Sequence, residues 1–204
     1  MNIMKKIIFA TGNNKKMEEV RMIMAGLKAE IISLKQAGIK ADIEENGNSF
    51  EENAIIKAKA VMEMTGQIVL ADDSGLEVDY LNKEPGIYSA RYAGENTPYP
   101  IKNQMIIDRL KGVAEEKRTA RFVCVIAAAF PDGSVITKRG TLEGRIGYQE
   151  KGEYGFGYDP IFYIPEYQCT TAQLTPEQKN KLSHRGEALR KMKEKLLELG
   201  VTEK

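Results

Sequence analysis

A chain of 204 residues, 42% hydrophobic and 29% charged, is long enough to bury its own core and too apolar to be disordered throughout. Its 30 basic and 29 acidic residues leave a net charge of +1, which disfavours a polyanionic partner such as duplex DNA. Two cysteines and one histidine are too few for a disulfide framework or a histidine-rich zinc site, and Cys124 lies in an apolar run typical of core. With no secretory or membrane-spanning run, we expect a cytoplasmic protein without nucleic-acid or membrane partners.

The first part of the chain predicts an alternation of strands and helices. Residues 7–10 form a short apolar run typical of a buried strand, and Gly12 with Asn13 ends it. From Lys16 the apolar spacing becomes helical, and a second strand is predicted over residues 29–34. This order of strand, tight turn, helix and strand is typical of an α/β protein.

The next segment carries the clearest helix signal in the sequence. Ser49 followed by Glu52 fits a capping box, and Gly66 stands where a C-terminal cap is expected. Residues 67–81 then read as a strand, an acidic turn at the sequence ADDSG, and a second strand.

The second half predicts a helix, a pair of long strands and a final helix. The first helix spans about Tyr99–Leu110, and residues 119–130 and 134–146 read as strands joined by the turn sequence PDG. The final helix is predicted over residues 185–200, with an apolar stripe at Leu189, Met192, Leu196 and Leu199. We therefore predict one α/β domain over residues 1–204, in which helices flank a mixed rather than wholly parallel sheet.

The first turn, TGNNKK at residues 11–16, has the composition of an anion site. It brings backbone N–H groups, two asparagines and two lysines to the positive end of a helix dipole. It lacks the pattern G-x-x-x-x-G-K-[ST], so a standard NTPase loop is disfavoured. An ordinary strand-to-helix turn with solvated lysines is the alternative interpretation.

Two pairs of neighbouring carboxylates could hold a metal ion. Asp72 and Asp73 end an apolar strand, where ligands bind in α/β proteins, and alternation along extended backbone lets only one of them face a given ligand. Glu44 and Glu45 lie in a loop before the capped helix. One or two carboxylates plus substrate phosphates are the usual ligands of Mg²⁺. Taken singly, each pair could equally be a solvated acidic turn.

The stretch GEYGFGYDPIFYIP, residues 152–165, predicts a turn that leads into a strand. Its glycines allow close approach of a ligand, Phe156 could stack on a planar base, and Asp159 could accept a hydrogen bond from a ring N–H. His184 and Arg185, before and at the start of the final helix, offer adjacent donors that suit a carbonyl-bearing base. Together with the anion-binding turn and the carboxylates, these residues make up the parts of a nucleotide site.

Six motifs follow one another from residue 9 to residue 189: FATGNNKK, SFEENAIIKAKA, LADDSGLEVD, PGIYSARYAG, FGYDPIF and LSHRGEAL. In these motifs the chain resembles the inosine triphosphate pyrophosphatase family of bacterial enzymes, over nearly its whole length. The resemblance implies an elongated α/β fold with two lobes around a central substrate cleft, and a homodimer. It also implies the Mg²⁺-dependent hydrolysis of the purine nucleoside triphosphates ITP, dITP and XTP to the monophosphate and pyrophosphate.

The resemblance further implies roles for individual residues. Asp73 would be the general base and a metal ligand, with Ser74 contacting the substrate beside it. One of Glu44 and Glu45 would help to hold Mg²⁺, and the sequence does not decide which. The phosphates would be held by Thr11, Gly12, Asn13, Asn14, Lys15 and Lys16, and the base and sugar by Phe156, Gly157, Tyr158, Asp159, Lys179, His184 and Arg185. Lys15 stands where the family often has glycine, which alters the charge at the turn.

The chemistry of the implied reaction agrees with these residue types. Cleavage between the α- and β-phosphates needs an aligned water and charge relief on the leaving pyrophosphate, for which Lys16 and Lys57 are the expected cations. Selectivity is expected at the purine six-position, where Arg185, His184 or a backbone N–H would accept a carbonyl and reject the amino group of adenine. Two alternatives are a Maf-like pyrophosphatase of modified nucleotides and a nucleotide-binding module without catalysis.

Overall fold

The computed structural model describes residues 5–201, in which seven strands form one sheet. The strands are β1 Lys5–Phe9, β2 Ala29–Ser33, β3 Val69–Val78, β4 Thr119–Ala129, β5 Val135–Ile146, β6 Phe162–Ile164 and β7 Cys169–Thr170. Their order in the sheet is β2-β1-β3-β4-β5-β6-β7. Because β1 is parallel to β2 and β3 while β6 is antiparallel to β5 and β7, the predicted mixed sheet is confirmed.

Five α-helices accompany the sheet in the described residues: α1 Asn14–Ile23, α2 Phe50–Thr65, α3 Tyr99–Arg109, α4 Pro176–Leu182 and α5 His184–Glu198. The predicted caps at Ser49 and Gly66 are confirmed, but the capping box predicted between Ser49 and Glu52 is only half formed. Ser49 Oγ accepts a hydrogen bond from Glu52 N at 3.1 Å, and Gly66 is left-handed with φ +61°. The Glu52 carboxylate in turn accepts from Asn48 N at 2.7 Å, one residue before the expected partner.

The other predicted elements lie close to their expected positions. α1 begins two residues before Lys16, and α3, the β4–β5 pair and α5 agree with the sequence patterns within a few residues. One member of the apolar stripe on α5 was predicted wrongly, since Leu199 is 51% exposed. The reason is that α5 ends at Glu198 and the chain turns away at Gly200, which has φ +62°.

The acidic turn predicted at ADDSG is wrong, because β3 runs unbroken from Val69 to Val78. Asp72 and Asp73 are buried in the middle of this strand. Aspartate usually disfavours strands, but here cationic and amide side chains from α1 and α2 bond to this part of β3. Tertiary partners therefore outweigh the local preference for a turn.

Two compact units divide the described residues. The first contains the chain up to Asp73, Cys124–Gly140 and the chain from Arg185, and the second contains Ser74–Val123 and Thr141–His184. Each has its own apolar core: Ile7, Phe9, Val20, Leu70, Ile126, Leu189 and Met192 in the first, and Leu76, Ile106, Leu110, Phe122, Ile161 and Phe162 in the second. β3, β4 and β5 each contribute residues to both units.

Both cysteines have free thiols. Cys124 is fully buried on β4, as expected of a core residue, and burial raises the pKa of its thiol to about 12. Cys169 in β7 is partly buried, and burial raises its pKa as well.

Candidate active site

Asp72 and Asp73, with the charged and amide side chains bonded to them, form a carboxylate cluster in the first unit. Asp72 Oδ2 lies 2.9 Å from Lys16 Nζ and 3.5 Å from Arg185 Nη2. Arg185 also pairs with Glu19, at 2.6 Å between Nη1 and Oε2. Burial alone would raise the pKa of Asp72, but these two cations and a third from α2 hold it well below its usual range. Asp72 is therefore ionised at neutral pH and anchors the cations around it.

Asp73 is buried too, yet its pKa moves in the opposite direction. Its Oδ2 accepts a hydrogen bond from Asn53 Nδ2 at 3.1 Å, and Ser74 follows it in β3 as a half-buried residue. Burial raises the pKa of Asp73 to about 6, and the Glu45 carboxylate adds to the rise, whereas Lys57 and Asn53 oppose it. A buried carboxyl that titrates near neutral pH is suited to accept and release a proton.

Lys57 connects the two aspartates to the acidic loop before α2. Its Nζ donates to the backbone carbonyl of Asp72 at 2.9 Å and pairs with Glu45 Oε1 at 2.7 Å. Burial would lower the pKa of Lys57, but the carboxylates of Asp72, Glu45 and Asp73 raise it, so the ammonium stays charged. Glu44 is exposed. Of the two glutamates, the structure therefore brings Glu45 to the carboxylate cluster.

Helix α2 positions both Asn53 and Lys57, which share one face because they are four residues apart. Asn53 is fully buried, and its Oδ1 accepts from Gly47 N at 2.8 Å while its Nδ2 donates to Asp73. Asn53 escaped prediction from the sequence. The signal that could have revealed it is an amide one helical turn before a candidate catalytic lysine, on a face that is otherwise apolar.

The first turn caps α1 with its own side chains. Asn13 Oδ1 accepts from Lys16 N at 3.2 Å, and Thr11 Oγ1 accepts from Asn13 N at 3.1 Å. Packing does not require glycine at Gly12, and the two residues after Asn13, which open α1, are exposed. The helix dipole and Lys16 make this end of α1 positive. Glu19, also missed from the sequence, lies one turn after Lys16 on the same helix.

The second group of predicted residues surrounds the turn at residues 155–159, here called the recognition turn. Asp159 braces it: the carboxylate accepts from Phe156 N at 2.7 Å, Thr171 Oγ1 at 2.9 Å and Lys179 Nζ at 2.7 Å. The side chain of Asp159 is almost fully buried. In the structure it holds the turn together, and its expected hydrogen bond to a base stays a prediction.

Two more features fix the shape of the recognition turn. Gly155 has φ +76°, and a Cβ there would lie 2.3 Å from Asp159 Oδ2, so only glycine fits. Tyr158 is buried and its hydroxyl donates to Ser89 O at 2.7 Å, which engages that hydroxyl within the protein. Lys179 Nζ lies 4.7 Å from the centroid of the Phe156 ring. The ring thus carries a cation on one face.

His184 and Arg185 are adjacent in the chain but have different surroundings. The His184 ring is 6% exposed and stacks on Phe122, with 4.8 Å between centroids and 20° between planes. The Arg185 guanidinium instead lies with Glu19 and Asp72 in the carboxylate cluster. Of the two residues expected to act as paired donors, His184 thus packs against an aromatic ring and Arg185 pairs with carboxylates.

Within residues 5–201, no group of three or more His, Cys, Asp or Glu side chains has the arrangement of a metal site. Asp73 and Glu45 are nevertheless close enough for the Glu45 charge to raise the Asp73 pKa. Mg²⁺ commonly binds one or two protein carboxylates and takes its remaining ligands from water and substrate phosphates. Asp73 and Glu45 are therefore the two carboxylates that could hold a divalent metal ion together with a bound nucleotide.

In the described part of the chain, no helix is both long and apolar enough to span a bilayer.

Known proteins resemble this chain over almost its full length. It is 47% identical to a dITP/XTP pyrophosphatase of Desulforamulus reducens over 196 residues, which are 96% of this chain and 98% of that protein. It is 46% identical to the dITP/XTP pyrophosphatase of Bacillus subtilis over 198 residues, 97% of this chain and all of the relative. The Staphylococcus aureus Ham1 protein structure superposes with a TM-score of 0.87 at 42% identity, covering 96% of this chain and 100% of that one.

A second solved structure, a HAM1 protein from Coxiella burnetii, gives a TM-score of 0.88 at 40% identity, again covering 96% of this chain and 100% of that one. The sequence profile of the Ham1 family matches residues 7–195. That range includes every residue to which the sequence assigned a role in the site. The chain therefore belongs to the Ham1 family.

Proposed function

We propose that this chain hydrolyses purine nucleoside triphosphates with a deaminated base, namely dITP, ITP and XTP, to the monophosphate and pyrophosphate. The observation that carries the proposal is Asp73, a buried carboxyl with a pKa of about 6, held by Asn53 beside Lys57. The relatives named dITP/XTP pyrophosphatase support this class of substrate.

Asp73 acts as the general base that takes a proton from the attacking water. In the metal-free protein its pKa of about 6 makes it more basic than an ordinary aspartate, and it is still mostly ionised at neutral pH. The Asn53 amide fixes the orientation of the carboxylate. General-base catalysis of this kind contributes about 10²- to 10⁴-fold to the rate.

Asp73 and Glu45 are the residues that would hold Mg²⁺, which when bound supplies charge neutralisation at the phosphates. Glu45 is already oriented by its ion pair with Lys57. Lys57 remains charged and can offset the negative charge that develops on the leaving pyrophosphate.

The triphosphate would bind at the start of α1. The backbone N–H groups there and the ammonium of Lys16 supply the positive end, and Asp72 holds Lys16 in place at 2.9 Å. Because Asp72 is ionised throughout the neutral range, Lys16 keeps a fixed partner whether or not a nucleotide is present.

The base would be recognised at the recognition turn. Phe156 offers a ring for stacking, and the amide N–H groups of Gly157 and Tyr158 form no hydrogen bond to any described residue. A backbone N–H can donate to the six-carbonyl of hypoxanthine or xanthine but meets a second donor in adenine. Sites that recognise a group by hydrogen bonding can reject the mismatched substrate by roughly 10⁴-fold. Exclusion of the two-amino group would explain rejection of guanine.

Pyrophosphate release from ITP, XTP, GTP and ATP, measured with Mg²⁺ and with chelator, tests the proposal. Magnesium-dependent release from ITP and XTP, weak with GTP and ATP and lost in Asp73→Asn, is expected. Asp132→Asn, in the turn between β4 and β5, is the control and should keep full activity.

Three results would contradict the proposal. Release from methylated or modified pyrimidine nucleotides alone would indicate a Maf-like enzyme. Nucleotide binding without turnover, unchanged in Asp73→Asn, would indicate a binding module. Equal rates with GTP and ITP would refute exclusion of the two-amino group. The homodimer and the cytoplasmic location expected from the sequence stay predictions.

A further inference from the structure

Helix α3 carries two consecutive polar side chains that are both 1% exposed, Lys102 and Asn103. Each donates to a backbone carbonyl in a loop of the second unit. Lys102 Nζ reaches Ala90 O at 2.6 Å, and Asn103 Nδ2 reaches Gly157 O at 3.3 Å. Gly157 belongs to the recognition turn, so α3 bonds directly to the segment expected to read the base.

The Asn103 amide uses both of its hydrogens. Besides Gly157 O, Nδ2 donates to Glu150 Oε1 at 2.6 Å, so one side chain connects two points of the loop between β5 and β6. The Glu150 carboxylate also fixes which end of the amide faces it, because the amide oxygen would be repelled in that position. Asn103 Oδ1 is left buried without a hydrogen-bond partner among residues 5–201.

That buried oxygen decides between two roles for Asn103. An unpaired buried acceptor lowers stability, whereas an apolar side chain of similar shape would avoid the cost. The two hydrogen bonds of the Asn103 amide also contribute little stability, since Glu150 is exposed and the distance to Gly157 O is long. The asparagine at this position therefore serves to hold Gly157 O and Glu150 rather than to add stability.

Asn103 holds the carbonyl side of the peptide group between Gly157 and Tyr158. The carbonyl of Gly157 and the N–H of Tyr158 belong to the same planar trans peptide and point in opposite directions. Gly157 has φ +70°, and Tyr99 packs against both the turn glycine and the Tyr158 ring, with 5.3 Å between the tyrosine centroids. Holding the Gly157 carbonyl therefore fixes the direction of the Tyr158 N–H.

Building on the function proposed above, we infer that Asn103 is a specificity-determining positioning residue: by holding the Gly157 carbonyl, it aims the Tyr158 N–H at the six-carbonyl of a deaminated purine. Asn103 itself touches no substrate. Its loss should leave the hydrolytic chemistry intact and weaken the preference for a carbonyl-bearing base.

The test is kcat/KM for ITP and for ATP in the wild-type protein and in Asn103→Leu, with Asn103→Ala as a second variant. We expect the ITP value to fall about tenfold through a higher KM, the size of one well-placed hydrogen bond. The ATP value should stay within about twofold, so the ratio of the two falls. A purely structural defect would lower both values together. The Tm should change by no more than about 4 °C.

Two controls separate the Gly157 bond from the other contacts of α3. Glu150→Ala removes only the second partner of the amide, and Gln104→Leu changes the exposed neighbour on the same helix. Both should keep the wild-type ratio. An unchanged ratio of the ITP to the ATP kcat/KM in Asn103→Leu, or a fallen ratio in Glu150→Ala, would overturn the role of Asn103. Either result would leave the proposed function unaffected. Wild-type protein without a preference for ITP would overturn the proposed function and, with it, this role of Asn103.

Discussion

Asp72 and Asp73 are neighbours in one strand, yet their carboxyl pKa values move in opposite directions. Both are desolvated, so the difference comes from their charged neighbours. Asp72 lies against Lys16 and Arg185, whereas Asp73 accepts from the neutral Asn53 amide and feels the negative charge of Glu45. The alternation of side chains along β3 thus gives two adjacent carboxyls opposite electrostatic surroundings.

The raised pKa of Asp73 predicts that Asp73→Asn stabilises the metal-free protein at high pH. The folded chain binds this proton more tightly than the unfolded chain, whose pKa is near 3.8. The resulting stability is complete below pH 3.8 and is lost as the pH rises through about 6. At pH 8 with chelator, we expect the variant to gain about 1 to 3 kcal/mol, measured as a higher Tm.

Asp72→Asn is the matched control, because its expected effect on stability at pH 8 is opposite to that of Asp73→Asn. The lowered pKa of Asp72 contributes stability at neutral pH that is lost only in acid, so its neutral replacement should lower the Tm at pH 8. The gain from Asp73→Asn should vanish near pH 4. A loss of stability in Asp73→Asn at pH 8 would show that Asp73 is ionised at little cost.

A second residue-scale prediction concerns Gly155. Gly155→Ala should destabilise the protein and raise KM for ITP, because the new Cβ would lie 2.3 Å from Asp159 Oδ2. Gly112 has nearly the same backbone angle, φ +77° against +76°, but open space around a Cβ. Gly112→Ala should therefore cost only the backbone strain, about 1 kcal/mol. Equal losses in Tm and equal KM values would show that the contact with Asp159 is unimportant.

At this scale, residue chemistry was predictable from the sequence and residue contacts were not. Asp73, Lys16 and Lys57 stood out because of their types and motifs. Arg185 shows the limit: its partner Glu19 lies 166 residues away in the chain, and no local pattern reports such a contact. Motif order assigned Arg185 to the base, while the fold places its guanidinium in the carboxylate cluster.

Among the elements, α2 is the helix that positions both Asn53 and Lys57 against β3. Ser49→Ala removes the side-chain acceptor for Glu52 N and should cost about 1 kcal/mol of stability. Ser49→Asp keeps an acceptor at the helix start and should restore the wild-type Tm. A Tm unchanged in Ser49→Ala would mean that packing alone fixes the first turn of α2.

Local signals explain why α2 could be predicted almost to the residue and β3 could not. The caps of α2 are formed by residues at its own two ends, Ser49 and Gly66, so a local sequence pattern predicts them. The course of β3 instead depends on partners from α1 and α2 that neutralise its two aspartates. A short stretch of sequence therefore predicts helix caps but not contacts between elements that are distant in the chain.

At the scale of the whole molecule, neither compact unit is a continuous segment, since β3, β4 and β5 each contribute to both. Residues predicted as a single domain should then unfold in one cooperative transition. Ile126→Ala in the first core and Ile161→Ala in the second should each lower that one Tm, at a cost of about 2 to 5 kcal/mol.

Differential scanning calorimetry checks this prediction through the agreement of the calorimetric and van't Hoff enthalpies. Two resolved transitions, with each variant shifting only one of them, would show that the units unfold independently. The prediction of one domain would then be wrong.

The buried thiol of Cys124 has a consequence for how the protein meets reactive oxygen species. Peroxides and disulfides react with the thiolate, and a pKa of about 12 leaves roughly one thiol in 10⁵ ionised at pH 7. Cys124 shares its surroundings with Asp72, Lys16 and Arg185, so a sulfenic acid there would disturb the anchor of the carboxylate cluster. Because the sulfur is protonated and fully buried, we expect Cys124 to resist oxidation by peroxide at neutral pH.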